Sequence, residues 1–256
     1  MIRGGESGGF EPAAPADGFW NAPAQVERFA SRDPDHRLIR VVGAVSCPAD
    51  LRVLDVGCAG GRNTQWLAEQ GCDVHAVDAA PAMIAHTRRR VAAGLGEEEA
   101  CRRVRCGVMD DLEHFPNADF DLVVALGVYH LATSRREWEG ALGETARVVR
   151  VGGRVLVAVF DPRSAPAGRP LRRFPGDEPL YEGFASGPAW LVEADELDRE
   201  MADRALHPVV PTETVEVRAG KGTRVTVNGL YERRGGAGIS RRSRAGIAPA
   251  FTPEGV

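Results

Sequence analysis

The sequence predicts an α/β fold with a doubly wound sheet of seven strands, mostly parallel, that ends in an antiparallel pair of C-terminal strands. Between residues 53 and 160, short apolar segments suited to buried strands alternate with segments of helical periodicity. Alternation of this kind is typical of strand–helix–strand units and a parallel sheet. Two further strand-like segments, residues 209–217 and 223–231, flank a Gly-Lys-Gly turn and predict the antiparallel pair.

The first strand, turn, helix and second strand occupy residues 53–78. The first apolar segment ends at Gly57, helical periodicity follows, and the second apolar segment ends at Asp78. Gly57 and Gly61 can adopt positive φ and have no Cβ, so a ligand can approach the main chain at the start of the helix. An acid about twenty residues after such a turn can accept hydrogen bonds from both hydroxyls of a ribose. The unit therefore predicts a nucleoside site.

A further acid, Asp55, stands two residues before the first glycine of the turn. Its carboxylate would repel a pyrophosphate but suits a ligand that carries an ammonium group. The turn, read Asp55-Val-Gly57-Cys-Ala59-Gly-Gly61, resembles the D-x-G-x-G-x-G motif of class I S-adenosylmethionine-dependent methyltransferases, with Ala59 in place of the middle glycine. Residues 147–157, R-V-V-R-V-G-G-R-V-L-V, resemble a second motif of that family, R-V-L-R-P-G-G-x-L.

The resemblance implies a Rossmann-like sheet, S-adenosylmethionine as the cofactor and a small molecule as the methyl acceptor. It also implies that the cofactor contacts the glycine turn and the ends of the following strands. The residues so assigned are Asp55, Gly57, Cys58, Ala59, Gly61, Asn63, Asp78, Ala79, Met83, Met109, Asp110 and Leu126. Family members often carry an acid that contacts the adenine amine, and Val108 stands at that position here. A two-residue slip in the alignment offers Asp110, and main-chain groups are the other candidates.

After the predicted fourth strand the sequence reads Gly127-Val128-Tyr129-His130-Leu131, which resembles the G-V-L-H-x-L of small-molecule methyltransferases. Open α/β sheets bind ligands beyond the carboxyl ends of their strands, so Tyr129 and His130 are expected near the transferred methyl group as catalytic candidates. His130 is a candidate general base for an in-line transfer, and a histidine that fixes the loop geometry is the equal alternative. A hydroxyl acceptor would need a base, whereas a thiol or an amine acceptor would not.

Composition and the resemblance together predict one folded unit with two disordered ends. Residues 1–17 and 235–256 are rich in glycine and in residues that bury little, and are expected to form a disordered leader and tail. Residues 18–234 are expected to form a single methyltransferase domain. The parts assigned within it are a helical lid (18–48), a cofactor-binding core (50–161) and a substrate-facing loop (162–192).

Composition also narrows the class of protein. A chain of 256 residues with 43% hydrophobic content can bury one substantial core. The net charge of −4 and the pI near 5.9 give no electrostatic case for a nucleic-acid partner. The cysteines form no C-x-x-C pair, which indicates neither a metal site nor a disulfide in a cytoplasmic protein. No apolar run reaches membrane-spanning length, so no membrane partner is expected, and the sequence does not predict the oligomeric state.

Two rival functions would use the same fold. A non-catalytic methyltransferase-like module, acting in binding or regulation, is favoured by Ala59 and Val108 and opposed by the intact acids Asp55 and Asp78. An NAD-dependent oxidoreductase would need a pyrophosphate-binding turn without Asp55. Binding of S-adenosylhomocysteine or of NAD separates these alternatives.

Overall fold

The computed structural model describes residues 18–235 of the chain. The predicted leader, residues 1–17, and the predicted tail beyond Gly235 lie outside the described residues. The helices are α1 (Pro23–Ala30), α2 (His36–Gly43), α3 (Arg62–Glu69), α4 (Pro81–Leu95), α5 (Glu97–Arg103), α6 (Arg135–Val148) and α7 (Ala194–Ala202). The strands are β1 (Arg52–Val56), β2 (Asp73–Asp78), β3 (Val104–Cys106), β4 (Phe120–Leu126), β5 (Val149–Phe160), β6 (Arg172–Arg173), β7 (Leu180–Phe184), β8 (Gly187–Trp190), β9 (Leu206–Pro208), β10 (Glu213–Ala219) and β11 (Gly222–Arg233). Short 3-10 turns, Pro48–Asp50 and Tyr129–Leu131, precede β1 and follow β4.

One large sheet holds β10, β11, β5, β4, β1, β2 and β3 in that spatial order, and β9 pairs with β11. β1 pairs in parallel with β2 and with β4, and β5 continues the parallel arrangement beside β4. β11 runs antiparallel to both β5 and β10. The predicted fold class, a Rossmann-like sheet with an antiparallel C-terminal pair, is confirmed, and β9 adds an eighth strand.

Helices cover both faces of this sheet, as a doubly wound fold requires. On one face, α6 and α7 bury Trp138 and other apolar side chains against the sheet. On the other face, α2 and α3 bury Leu38 and Leu67, and α4 packs beside them over β2 and β3. Successive residues of β1 alternate between the two cores, since Leu54 belongs to the first and Val53 to the second.

The order of the strands reverses at β1, because β2 lies on one side of it and β4 on the other. In open α/β sheets, the crevice outside the carboxyl ends of the strands at such a reversal is where ligands bind. The glycine turn leaves β1 at this crevice, and residues 127–131 leave β4 beside it. The fold therefore brings the two motifs of the sequence to the same edge of the sheet.

Serine is a residue type that favours the N-cap of a helix, and helix α6, which follows this crevice, begins after a cap at Ser134. The Ser134 hydroxyl accepts a hydrogen bond from the amide of Glu137 at 3.3 Å, and the Glu137 carboxylate accepts bonds from the amide and hydroxyl of Thr133 at 2.8 and 3.0 Å. These bonds satisfy amides that have no partner within the helix. The cap thereby fixes the C-terminal end of the segment that carries His130.

Three elements differ from the sequence prediction. The sequence pattern predicts a third strand over residues 104–109, but the strand ends at Cys106, because the chain then leaves the sheet and Val108 is 46% exposed. Helix α5 was not predicted, although its first turn is acidic and its last turn basic. The segment 161–190, expected to lack regular structure, contains the antiparallel sheet β6–β7–β8. Its strands have five residues or fewer, which is too short for a strong alternating pattern.

Within residues 18–235, no helix combines the length and the apolarity needed to cross a bilayer. In the same range, no group of three or more His, Cys, Asp or Glu side chains is placed to hold a metal ion. The five cysteines are all free thiols.

Candidate functional site

The glycine turn connects β1 to α3 in an unusual backbone conformation. Three alternate residues are left-handed, with φ of +71° at Gly57, +47° at Ala59 and +78° at Gly61. The amides of Gly57 and Cys58 both donate to the carbonyl oxygen of Val77, at 2.8 and 3.0 Å. The turn is therefore fixed to the carboxyl end of β2.

Gly57 and Gly61 of the turn have no room for a side chain. A Cβ at Gly57 would lie 2.6 Å from the Cβ of Val128, and a Cβ at Gly61 would lie 2.7 Å from the Oγ1 of Thr87. The Thr87 hydroxyl donates to the carbonyl oxygen of Ala59 at 2.8 Å. Ala59 takes the middle position of the motif at a cost of about 1 kcal/mol for its left-handed conformation.

Asp78 ends β2 beside the turn and is half-buried. Its Oδ2 accepts a hydrogen bond from the amide of Ala59 at 2.9 Å, and its Oδ1 accepts one from the amide of Ala80 at 2.8 Å. Burial raises the pKa of the Asp78 carboxyl, and these two bonds offset part of that rise. Each carboxylate oxygen can accept two hydrogen bonds, so capacity remains for two ligand hydroxyls.

Asp55, the acid at the start of the motif, is buried in β1 and 2% exposed. Its Oδ2 accepts a hydrogen bond from the Thr64 hydroxyl at 2.7 Å. Burial raises the pKa of Asp55 to about 6, the Thr64 bond and the charge of Arg62 oppose that rise, and the charge of Asp78 adds to it. The ionised form is therefore costly at this buried position, and a ligand ammonium group would stabilise it.

Replacing Asp55 with asparagine is expected to make the ligand-free protein more stable above about pH 6. Because the pKa of Asp55 is raised from 3.8 to about 6, the folded state binds the proton more tightly than the unfolded state. Stability is therefore lost as the pH rises through that window, by up to about 3 kcal/mol. Asparagine does not ionise and keeps an oxygen for the Thr64 hydroxyl.

Urea unfolding at about pH 5 and about pH 8 checks this expectation. The advantage of the Asp55→Asn variant over the wild type in free energy of unfolding should be larger at the higher pH. Parallel pH dependences of the two proteins would show that Asp55 does not titrate in this way.

Three residues expected around the cofactor have contacts of their own within the protein. The Asn63 side-chain oxygen accepts a hydrogen bond from the amide of Asp35 at 2.9 Å, which ties the start of α2 to α3. Met83 is buried in a cluster with Val26 of α1. The Cys58 side chain is buried under α4, and burial raises the pKa of its thiol. The Cys58 thiol also donates to the carbonyl oxygen of Ala59 at 3.9 Å, so both its main chain and its side chain contact the turn.

Helix α1 lies directly on the glycine turn. A Cβ at Gly60 would lie 2.7 Å from the Cβ of Ala30, the last residue of α1. The Arg90 guanidinium donates to the carbonyl oxygens of Ala30 and Gly60 at 2.6 and 3.2 Å. Trp20 and Phe29 pack against the cluster that contains Met83. The segment expected to form a lid therefore touches the turn itself.

A cavity of about 290 Å³ opens at the carboxyl end of β3. Its lining includes Ala79, which directly follows Asp78, and Val108. Met109 is half-buried and packs against the core under α6, and the Cβ of Asp110 lies 3.0 Å from the position of a Cβ at Gly140 of α6. Ala79, which was assigned to the cofactor, thus lines the cavity together with Val108, which stands at the position of the family's adenine-contacting acid. Asp110, the alternative to that position, lies against α6.

Leu126 is the last residue of β4, and Tyr129 follows it three residues later. Leu126 is half-buried and packs against the core under α2 and α3. Tyr129 is fully buried, and its hydroxyl is hydrogen-bonded to the Thr145 hydroxyl on α6. Burial raises the pKa of Tyr129 well above its ordinary value. This placement gives Tyr129 a packing position rather than an open one.

His130 lies next to Tyr129 in a different environment. Its ring is 6% exposed, and its centroid lies 4.4 Å from that of Phe160, at the end of β5. Phe160 stacks in turn on Phe184 of β7 at 4.8 Å. Burial lowers the pKa of His130 to about 3, so the imidazole is neutral at physiological pH. Among the described residues, its buried Nδ1 has no hydrogen-bond partner.

Sequence reasoning missed Phe160 and Phe184. Phe160 had a usable signal, because it is an aromatic residue at the carboxyl end of a predicted strand in an open α/β sheet. Phe184 had none, since its contact with Phe160 depends on how the β6–β7–β8 sheet folds over β5.

The range of the chain that contains this site matches a known family. Residues 53–153 match the family model of a methyltransferase domain. The match includes the glycine turn, Asp78 and His130, which the structure brings to one edge of the sheet. The chain carries a class I S-adenosylmethionine-dependent methyltransferase domain. The resemblance noted from the two motifs is thereby confirmed.

The methyltransferase domain has named relatives. Malonyl-(acyl-carrier protein) O-methyltransferase of Halorhodospira halophila is 36% identical over 139 residues, which cover 52% of this chain and 43% of that protein. Demethylmenaquinone methyltransferase of Thermus thermophilus is 37% identical over 119 residues, which cover 44% of this chain and 49% of that protein. The chain thus spans about half the length of the curated relatives it matches.

A solved structure shares the fold of the methyltransferase domain. It is 1,6-didemethyltoxoflavin-N1-methyltransferase of Burkholderia thailandensis, with 1,6-didemethyltoxoflavin and S-adenosylhomocysteine bound. The TM-score is 0.55 at 21% identity, and the alignment covers 84% of this chain and 81% of that one. At this identity the likeness supports the fold.

Proposed function

We propose that this chain is an S-adenosylmethionine-dependent methyltransferase that methylates an oxygen, nitrogen or sulfur atom of a small molecule. The observation that carries the proposal is the meeting of the left-handed glycine turn with Asp78, whose carboxylate is held by the amides of Ala59 and Ala80. The match of residues 53–153 to a methyltransferase domain supports it.

Separate residues of the site fit the ribose, the ammonium group and the adenine of the cofactor. Asp78 would hold the ribose hydroxyls, and the buried Asp55 suits the ammonium end. The cavity beside Ala79 and Val108 would take the adenine. When bound, this cofactor supplies a methyl group that is activated by the positive charge of the sulfonium. The main task of the protein is then to align the acceptor and exclude water, which can lower a barrier by about 7–11 kcal/mol in favourable cases.

The acceptor end of the proposed site lies at His130, Phe160 and Phe184. The contacts among these three rings make this end of the site apolar. Because Phe184 belongs to β7, the β6–β7–β8 sheet covers this end. His130 is neutral, so it can accept a proton or a hydrogen bond from an acceptor hydroxyl at its free Nδ1. A thiolate or an amine acceptor would not require this step. We assign the lid role to α1 and α2, and the acceptor-facing role to β6–β8.

Replacing His130 with phenylalanine is expected to lower kcat for a hydroxyl acceptor by about 10- to 100-fold. Phenylalanine keeps a ring to pack on Phe160 but removes Nδ1. The expected decrease in kcat is small for the removal of a general base, because a base whose pKa is lowered to about 3 is weak. Since the neutral imidazole is fully populated above that pKa, protonation of His130 should add no acid limb to the wild-type profile near neutral pH.

Transfer of an isotope-labelled methyl group to a panel of hydroxyl, amine and thiol acceptors measures this effect. The matched control is His207→Phe, since His207 lies on β9 and pairs with Glu232 of β11, whose partner on β5 is Arg154, six residues before Phe160. The affinity for S-adenosylhomocysteine should be retained in both variants. Wild-type turnover of a hydroxyl acceptor by His130→Phe would remove His130 from the proposed mechanism.

A non-catalytic methyltransferase-like module is the second candidate function. It is favoured by Ala59, which stands in the place of the middle glycine of the motif, and by the position of Asp110 against α6. Absence of S-adenosylhomocysteine binding by the folded protein would support it over the enzyme.

A further inference from the structure

Four arginines gather beyond the carboxyl edge of the sheet, on the face covered by α2 and α3. Arg28 lies on α1, Arg32 follows it, Arg62 begins α3, and Arg224 lies on β11. Burial, followed by the charges of Arg28, Arg62 and Arg224, lowers the pKa of the Arg32 guanidinium. The positive charges are therefore close enough to repel one another.

Hydrogen bonds and strand register bring together the elements next to which Arg32, Arg62 and Arg224 lie. The Arg62 guanidinium donates to the carbonyl oxygen of Asp33 at 2.7 Å. The nearby Arg37 side chain donates to the side-chain oxygen of Asn228 on β11. The segment between α1 and α2 is therefore tied to the start of α3, and the first turn of α2, which follows that segment, is tied to β11.

Arg224 shares a face of β11 with Asn228, because side chains alternate along a strand. It lies two residues, about 7 Å, beyond the pair formed by Thr226 and Phe160. Phe160 is the last residue of β5. Arg224 thus stands past the carboxyl end of β5, at the same edge as the His130 ring.

Within the part of the chain that the structure describes, three of the four arginines have no carboxylate partner. Arg62 has Asp35 at 3.7 Å, but among residues 18–235 no carboxylate lies within ion-pair distance of Arg28, Arg32 or Arg224. The guanidinium carbons of Arg28 and Arg32 instead lie 5.9 and 4.5 Å from the centroid of the Phe29 ring. These cation–π contacts hold both guanidinium groups against α1 but leave their positive charges without a counterion in the described part of the chain.

We infer that Arg28, Arg32 and Arg224 bind an oxyanion, a carboxylate or a phosphate, carried by the methyl acceptor, so that the acceptor is an acidic small molecule. The inference rests on the proposed function of the same site. A guanidinium binds either group through two parallel hydrogen bonds. In a chain of net charge −4, a local positive cluster also attracts an anion to this edge of the protein. The anionic group would lie on the β11 side of the site, and the atom to be methylated would lie beside His130.

Calorimetric titration with small probes tests the inference on protein saturated with S-adenosylhomocysteine, at low ionic strength. Malonate represents the carboxylate, methyl phosphate represents the phosphate, and neutral malonamide is the uncharged counterpart. The wild type should bind at least one of the two anions and should not bind malonamide. The anion that binds more tightly shows whether the acceptor carries a carboxylate or a phosphate. The Arg32→Gln, Arg224→Gln double variant should bind that anion about tenfold or more weakly. Arg136→Gln removes an exposed arginine of α6, on the opposite face of the sheet, and should bind as the wild type does.

Equal anion binding by the double variant and the wild type would overturn the inference, as would absence of anion binding in the wild type. Arg224→Lys keeps the charge and should retain part of the affinity, which separates recognition from damage to the fold. The titration with S-adenosylhomocysteine is read separately. Its failure would count against the proposed function, and the anion titration of the cofactor-free protein would then decide the present inference alone.

Discussion

Replacing Asp78 with alanine is expected to lower the affinity for S-adenosylhomocysteine by about 100-fold or more. The variant loses the two oxygens that would accept the ribose hydroxyls, and hydrogen bonds to a charged acceptor contribute about 1.5–3 kcal/mol each. It also frees the amides of Ala59 and Ala80, which the carboxylate holds at 2.9 and 2.8 Å. Calorimetric titration measures the change.

The control for Asp78→Ala is Asp195→Ala, which removes an exposed acid from the first turn of α7. Circular dichroism of both variants should show the wild-type helix and strand content. Wild-type affinity in a folded Asp78→Ala variant would remove the ribose assignment.

Replacing Gly61 with valine is expected to lower the free energy of unfolding by about 3 kcal/mol. Gly61 has φ of +78°, which costs other residues about 1–2 kcal/mol. Its Cβ would lie 2.7 Å from the Thr87 Oγ1, so a further cost of about 1–3 kcal/mol follows from overpacking. Displacement of Thr87 would also break its hydrogen bond to Ala59 and weaken cofactor binding.

The matched control is Gly94→Ala in α4, where no atom lies within 4 Å of the added Cβ. Alanine suits a helix better than glycine, so this variant should be as stable as the wild type or more stable by up to about 1 kcal/mol. Urea unfolding of the three proteins gives the comparison. If Gly61→Val and Gly94→Ala were equally stable, the turn would not be as tightly packed as its contacts indicate.

The parts of the fold that follow from local chemistry were predictable from sequence. Gly57 and Gly61 mark the turn because only glycine adopts positive φ without strain, and both have it. Ser134 marks the start of α6 because its hydroxyl satisfies a free amide there. The position of Asp78 beside the turn was predictable because this residue ends an apolar strand. In each case a few neighbouring residues determine the structure.

The β6–β7–β8 sheet could not be predicted in this way. Its strands are short, and the first consists of Arg172–Arg173. It is stabilised by distant parts of the chain, such as the stacking of Trp190 on Trp138 at 5.9 Å and of Phe184 on Phe160 at 4.8 Å. Contacts between residues so far apart in sequence leave no local pattern.

The side-chain directions of several candidate site residues could not be predicted from the sequence either. Tyr129 and His130 are adjacent in sequence, yet the Tyr129 hydroxyl is bonded to Thr145 under α6, whereas the His130 ring meets Phe160. Asp110 was a candidate for adenine by a shift in alignment, and it lies against Gly140. The direction of a side chain in a turn depends on tertiary packing, which sequence periodicity does not report.

The measurement that tests the central claim most directly is calorimetric titration of the wild-type protein with S-adenosylhomocysteine. The product of the proposed reaction binds without any acceptor, so the unknown substrate does not enter the result. We expect micromolar affinity with one molecule bound per chain. The absence of binding would leave the fold intact but contradict the assignment of this edge of the sheet as a cofactor site.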